Sequence, residues 1–422
     1  MIIRNYSALT SSLILLFNKA LTVILGVLIA RTLGVNEFGL YALVVTSSLL
    51  LMMAFELGIP TLCLRVVSEN KKSELVDNIF CFYLYSLVFC TTFSLLSILI
   101  FNAFFESFGV SERSVMVFTL GFCLIPINSG IRVSVSILRA KGNFSSAAFF
   151  EGTIRLCLLS IWILFSEGKE VADAREIFYA DILVSTIIYL TSVMFVLYKV
   201  RINFSSYEFK VPKFKWFKKS IHIIFVGLAL IVNHQADLLM VGLFMSNENA
   251  GIYRVAIQGA SIALISLQVI NTIYSRKFSY YKDNVVQLKF FIDQSSKYIF
   301  FGSLVMSFSL FIFWEGIIGC FYGVEYSDSS GILYVLLFGQ TVVCLLGPVM
   351  NILHMTGNEE KITPVIILSS IINIFLNTLL IPIIGVFGAA FSTVASNLLC
   401  AILLTYTVKT SLGVYPTFFL RD

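Results

Sequence analysis

Along this chain, apolar runs of about 20 residues alternate with short segments carrying charge, glycine or proline. The pattern predicts about twelve membrane-crossing helices, at residues 8–30, 39–60, 79–102, 115–138, 147–165, 177–198, 220–244, 250–274, 297–318, 330–354, 362–382 and 385–408. It lacks the short alternating segments of a membrane β-barrel. The first run, Leu13 to Ala30, exceeds a signal-peptide core, and no small-residue cleavage site follows it, so it reads as a retained span.

The two six-span halves echo each other. Phe38-Gly-Leu-Tyr-Ala42, entering span 2, is matched by Ala250-Gly-Ile-Tyr-Arg254, entering span 8. Leu138-Arg-Ala-Lys-Gly-Asn143, leaving span 4, is matched by Leu353-His-Met-Thr-Gly-Asn358, leaving span 10. Because six is even, both halves enter from the same side and the repeats are parallel. The expected fold is therefore an all-α polytopic membrane protein, two parallel six-helix lobes around a central cavity. Its expected parts are an N-terminal lobe over 1–198, a basic interfacial linker over 199–219 and a C-terminal lobe over 220–422.

Composition agrees with a membrane class: 58% of residues are hydrophobic and 13% charged, with a mean hydropathy of +0.92, against about a quarter charged in soluble domains. The net charge of +5 gathers in the linker, where Lys199, Arg201, Lys210, Lys213, Lys215, Lys218 and Lys219 face the single acid Glu208. Phe214, Phe217 and Ile221 lie opposite these lysines, which suits a helix in the headgroup layer of an anionic leaflet and not a nucleic-acid surface. With the linker cytoplasmic, the opposite face holds only Arg31, Arg113, Lys169 and Arg175, so both termini are expected in the cytoplasm. The eight cysteines are scattered without a C-x-x-C pair, and no metal site is expected.

The candidate chemistry lies in residues unsuited to lipid. An ionisable side chain at mid-span costs about 2.5–3.5 kcal/mol on insertion scales and needs a partner or water. Four basic residues fall inside spans: Lys19, Arg132, Arg155 and Arg254. Lys19 shares a helix face with Ser12, Thr22 and Gly26. In span 8, Arg254, Gln258, Ser261, Gln268 and Thr272 lie within about 40° of one line at helical periodicity, facing either a wet cavity or polar groups on neighbouring helices. Asp237, with Asn233 and His234, is either a proton- or sodium-coupling carboxylate or the structural partner of Arg254. Glu151 stands four residues before Arg155, in the favourable order for an ion pair, with Arg132 near both. Glu56, Asp181 and Glu315 are expected to reach an interface and act structurally. Cationic side chains in a wet cavity suit a phosphate-bearing substrate.

At several of these positions the chain resembles a known family. Ala30-Arg-Thr-Leu-Gly-Val-Asn-Glu-Phe-Gly-Leu-Tyr41, the segment Asp237 through Tyr253, and Asn373 through Ala390 with Ser392, Thr393 and Ser396 resemble Wzx-type polysaccharide flippases of the multidrug/oligosaccharidyl-lipid/polysaccharide exporter superfamily. The resemblance implies a multi-pass protein of the bacterial inner membrane. It would move an undecaprenyl-diphosphate-linked oligosaccharide from the cytoplasmic to the periplasmic leaflet for O-antigen, capsule or exopolysaccharide synthesis. It implies alternating access of two lobes, no cofactor beyond coupling to protons or sodium, and a polysaccharide polymerase and chain-length regulator as partners.

Two other readings compete. A cation-coupled multidrug exporter of the same superfamily should carry more acid than base in its cavity, the reverse of the balance expected here. A membrane glycosyltransferase, polymerase or ligase would need catalytic residues on a substantial outer loop. The longest outer loops, around 104–114 and 167–176, are about ten residues with no D-x-D pair, and the chain has no Walker A motif or nucleophile elbow, so a non-enzyme is expected. A reporter fused within residues 209–219 is expected to be active on the cytoplasmic side; a periplasmic signal there would invert the topology.

Overall fold

Backbone in hydrocarbon has no water to bond with, so apolar runs of this length satisfy their own N–H and C=O groups as helices. The computed structural model describes residues 2–69, 75–108, 111–165, 173–200 and 215–419, with side chains over 17–68, 79–103, 111–165, 173–199 and 227–419. Residues 201–214 of the basic linker, the side chains of Ser12 and of Lys215 through Ile221, and Glu167 and Glu170 of the acidic outer loop lie outside this description. The described residues hold no strand.

The first half consists of α1 (Ile2–Phe55), α2 (Ile59–Glu69), α3 (Leu75–Phe108), α4 (Glu112–Ala140), α5 (Phe144–Ala148), α6 (Ile154–Phe165) and α7 (Ala174–Val200), a π-helical turn at Phe149–Thr153 linking α5 to α6. The second holds α8 (Lys215–Phe244), α9 (Asn247–Ala263), α10 (Ile265–Tyr280), α11 (Val285–Ile317), α12 (Ser329–Leu345), α13 (Val349–Met355), α14 (Ile362–Ile384) and α15 (Val386–Leu412). Among the described residues nine helices are long and apolar enough to cross a membrane, or eleven when α9 with α10 and α12 with α13 each count as one bent span. One of the nine, Phe17–Phe55, is 39 residues long and covers the predicted spans 1 and 2. It is two helices joined at Gly34, where φ 70° and ψ 172° leave the helical region. Counted as two spans, that stretch accounts for the expected twelve.

Three predicted spans differ in detail. Span 2 was expected to reach residue 60, but α1 ends at Phe55 and the chain turns through Leu57 (φ 49°) and Gly58 (φ 69°). Pro60 has no N–H to return to the carbonyl of Glu56, and Ile59 N–H takes that acceptor instead at 2.9 Å. Span 8 bends by 41° between α9 and α10, and span 10 by 41° between α12 and α13, where Gly347 (φ 82°) precedes Pro348.

Contacts divide the chain into two compact units. The N-terminal unit holds Asn18–Leu33 and Leu40–Leu228; the C-terminal unit holds Met1–Phe17, Gly34–Gly39 and Ala229–Asp422. The N-terminal core packs Val133, Ile137 and Leu138 of α4 against Ile79 and Phe82 of α3 and Ile188 and Val196 of α7. The C-terminal core gathers Phe278, Ile292, Ile352, Ile366, Leu404 and Val408. Outside the spans, Asp173 clips the start of α7 to that of α4. It accepts from the Arg175 backbone N–H and guanidinium and lies 3.6 Å from Arg113. Burial opposes its charge, but these bonds and the neighbouring guanidinium groups hold the carboxyl below the usual carboxylate range.

The repeated motifs have matching backbones. After α4, Asn143 N–H reaches Leu138 O at 2.9 Å and Gly142 sits at φ 78°; after α13, Asn358 N–H reaches Leu353 O at 2.9 Å and Gly357 sits at φ 80°. Both are Schellman turns that need a left-handed residue at the glycine. The other motif pair meets within the C-terminal unit. A Cβ on Gly39 would lie 1.7 Å from Asn247 O, and a Cβ on Gly251 would lie 2.4 Å from Val35 O. Each glycine thus abuts the carbonyl four residues before the other, the mutual contact of two related segments.

Backbone-to-backbone contact at this position tolerates no side chain. Gly39→Ala is expected to destabilise the protein by about 1–3 kcal/mol, lowering its melting temperature in detergent. Gly316→Ala, in a helix with nothing within 4 Å of the added carbon, is expected to be neutral or stabilising by up to about 1 kcal/mol. Equal melting temperatures for the two variants would remove the steric argument.

Candidate functional site

In the N-terminal unit, α1, α4, α6 and α7 bring the in-span charges against acids from other helices. Arg155 donates from Nε and Nη2 to the two oxygens of Asp181, at 2.7 and 2.5 Å, and Asp181 is fully buried. Ser185, one turn along α7, adds a bond to Asp181 at 3.1 Å. Arg132 lies 3.3 Å from Glu56, itself buried beside the α1–α2 turn. Glu151 pairs with Arg139 at 2.5 Å.

These pairings correct the expected ones. Glu151 and Arg155 are four apart in sequence, but the π-helical turn at Phe149–Thr153 inserts a wider turn and shifts the register between them. Glu151 is therefore met by Arg139 of α4, and Arg155 by Asp181 of α7. Glu56 and Asp181 are buried within the unit instead of lying at its surface. Each is the buried counter-charge of an arginine, so Arg132 and Arg155 bring little net charge.

Lys19 is half-buried on α1. Its neighbour Asn18, on the adjacent side of α1, accepts from Thr153 of the π-turn at 2.6 Å. Hydroxyl pairs continue through the unit: Tyr83 with Ser134 at 2.7 Å, Ser192 with Ser134 at 2.9 Å, and Ser86 with Ser129 at 2.6 Å.

In the C-terminal unit, buried Asp237 of α8 is the centre of a polar cluster. One carboxylate oxygen accepts from Tyr253 and from Thr393, both at 2.7 Å, and the other from the Leu238 N–H at 3.1 Å. The expected partnership of Asp237 with Arg254 is replaced by these hydroxyls, and the charge of Arg254 lies near Tyr322. One residue of helix separates Tyr253 from Arg254 and turns them to different sides of α9. Asn233 donates to Asn397 at 3.3 Å, Asn373 to Ser396 at 3.1 Å and Asn377 to Asn373 at 3.1 Å. His234 is exposed on α8.

The span 8 line is divided by the bend at Leu264. Arg254, Gln258 and Ser261 belong to α9, with Gln258 accepting from Tyr322 at 3.2 Å, while Gln268 and Thr272 belong to α10, where Gln268 is exposed. Ser261 and Ser266 on either side of the bend bond to carbonyls three residues back, at 2.8 and 3.4 Å, a competition with the helix ladder that favours bending. Thr393, Tyr253 and the Asp181–Arg155 bond were not foreseen. Ser369, Asn373 and Asn377, at four-residue spacing in an apolar run, signalled one polar face of α14; no comparable signal paired α6 with α7.

Among the described residues no three His, Cys, Asp or Glu side chains group to hold a metal. The sequence model of a family described as polysaccharide biosynthesis protein matches residues 3–276. No curated protein matches the chain. Solved structures with the same fold include a multidrug resistance MATE family transporter of the MOP superfamily in an inward-facing conformation, with TM-score 0.75, 13% identity and coverage of 94% of each chain. The lipid II flippase MurJ, inward closed, has TM-score 0.78 and 17% identity over 94% of this chain and 87% of that one. A MOP superfamily transporter from Pyrococcus furiosus has TM-score 0.69 and 14% identity over 96% and 94%.

The Arg155–Asp181 bond sets a measurable cost. Asp181→Ala strands a guanidinium inside the unit and is expected to cost about 3–5 kcal/mol, whereas the double variant Arg155→Met with Asp181→Leu should regain much of it. Melting in detergent checks this, and a double variant less stable than Asp181→Ala would contradict it.

Proposed function

The chain belongs to the polysaccharide biosynthesis protein family, and from that membership we propose that it is a flippase for an undecaprenyl-diphosphate-linked oligosaccharide. It carries the unit from the cytoplasmic to the periplasmic leaflet of a bacterial inner membrane, with both termini cytoplasmic and a polysaccharide polymerase and chain-length regulator acting beside it. The observation that carries the reading is a multi-pass helical chain that keeps ionisable and amide side chains inside its apolar spans: Lys19, Arg132, Arg155, Arg254 and Gln258. Such groups cost insertion energy, and a substrate-binding interior gives them a use beyond joining helices. A diphosphate head group cannot cross hydrocarbon without replacement of its hydration, and lysine and guanidinium groups supply it.

Arg132 and Arg155 each meet an acid across helices, and in this proposal the in-span lysine, Lys19, supplies the charge that draws the diphosphate. Gln258 and Gln268 would contact the uncharged part of the head group. Asp237, ringed by the hydroxyls of Tyr253 and Thr393, would be the group through which a proton or sodium ion couples, with His234 beside it. Glu151 then serves Arg139 and stays outside the transport step. The fold shared with multidrug transporters keeps the exporter reading in view, and Asp237 suits both. The two differ at Lys19, which an exporter of cationic drugs would not need.

Complementation of a deletion strain decides between them. Lys19→Met is expected to abolish surface polysaccharide at wild-type membrane levels, because methionine keeps the volume and removes the charge. Lys19→Arg should retain part of the activity, limited by guanidinium geometry. Full export by Lys19→Met would overturn the cationic mechanism.

A further inference from the structure

The N-terminal unit contains a cavity of about 100 Å³ between α1, α4, α6 and α7. Its walls are mostly aliphatic and aromatic, with Leu49, Met52 and Phe178 among them, and its polar lining comes from Ser48, Asn128 and Arg155. Tyr41 packs on Phe178 with ring centroids 5.2 Å apart, so the aromatic wall is a fixed pair.

Two of these polar side chains have unused capacity. Ser48 Oγ is buried and has no hydrogen-bond partner among the described residues. Asn128 is half-buried, and its amide, two donors and an acceptor, makes no hydrogen bond to the described residues. Arg155 spends Nε and one Nη2 hydrogen on Asp181, and its side chain also lines the cavity. A buried polar group without a partner costs about 1–3 kcal/mol, so the Ser48 hydroxyl, beside the unbonded Asn128 amide, marks a place where another molecule completes the bonding.

Charge and shape define that molecule. The bidentate bond to Asp181 neutralises Arg155, so the cavity has no net positive charge to favour a diphosphate. An amide and a hydroxyl both donate and accept, as do sugar hydroxyl and acetamido groups. Apolar walls with an aromatic pair suit the C–H face of a sugar ring. Asp181 touches no ligand here; it fixes the guanidinium and is a positioning residue.

We propose that this cavity is a glycan subsite, taking an uncharged sugar residue of the translocated unit through Ser48, Asn128 and Arg155 while the diphosphate is held elsewhere. This rests on the flippase reading above. It gives the N-terminal unit a subsite for one sugar residue and separates that contact from recognition of the phosphate.

The experiment uses the purified full chain in nanodiscs and two probes: polyprenyl-diphosphate-linked oligosaccharide extracted from cells that make the surface polysaccharide, and sugar-free undecaprenyl diphosphate. Affinities are measured for the wild type, Asn128→Leu and Ser48→Ala. Each variant is expected to bind the glycan-bearing lipid about tenfold more weakly, as loss of a hydrogen bond implies, and to bind the sugar-free lipid as the wild type does. Equal weakening for both probes would make the cavity a phosphate site, and unchanged binding of both would make it packing; either result overturns the proposal. A wild type that binds neither probe would overturn the flippase reading itself. Ser48→Ala removes only an unpaired hydroxyl, so the result stands even if Asn128→Leu folds poorly.

Discussion

The bilayer interior offers no water to a polar group, so a charged side chain on one helix has to be met by a partner on another. The structure is organised around that requirement. Arg155 on α6 is tied to Asp181 on α7, Arg132 on α4 to Glu56 at the end of α1, and Asp237 on α8 to hydroxyls on α9 and α15. Each bond joins helices that apolar packing alone would leave free to rotate or slide. Serine–serine and tyrosine–serine pairs extend the same logic between α3, α4 and α7. Interhelical bonds of this kind are individually modest, about 0.6 kcal/mol on average in membrane bundles, so it is their number that specifies the arrangement.

A second constraint is how closely backbones approach. Where Gly39 faces Asn247 and Gly251 faces Val35, main chains touch with no side chain between them. Small residues permit such contact, and in membranes close packing replaces the hydrophobic force that drives helices together in water. The two glycines occupy equivalent places in the two repeats, so one local solution is used twice at a single contact. The paired Schellman turns after α4 and α13 show the same economy at the other motif.

The two units use their buried polarity differently. In the N-terminal unit arginines are matched by acids, leaving neutral, hydrogen-bonding surfaces. In the C-terminal unit the buried acid Asp237 is met by two hydroxyls and a backbone N–H, with no basic side chain bonded to it. On the proposed function, the first kind of surface would serve the sugar and the second a coupling ion, so that recognition and coupling would not fall on one group of residues.

Span lengths, the parallel repeat and the residues out of place in lipid were all legible in the sequence, because hydropathy and helical period are local properties that the bilayer enforces everywhere. The same reasoning located Lys19, Arg132, Arg155, Arg254 and Asp237, since an ionisable side chain in an apolar run is conspicuous. What one-dimensional periodicity could not supply was partnership. A π-helical turn of five residues moved Glu151 away from Arg155, and a bend at Leu264 divided a polar line that an unbroken helix would have kept whole. Asp181 and Glu56 looked peripheral because their distance from a span end was read without knowing what packed over them. Which helix lies beside which depends on the rotation and depth of each in the bundle. Those are set by contacts between segments far apart in the chain, and only the tertiary structure decides them.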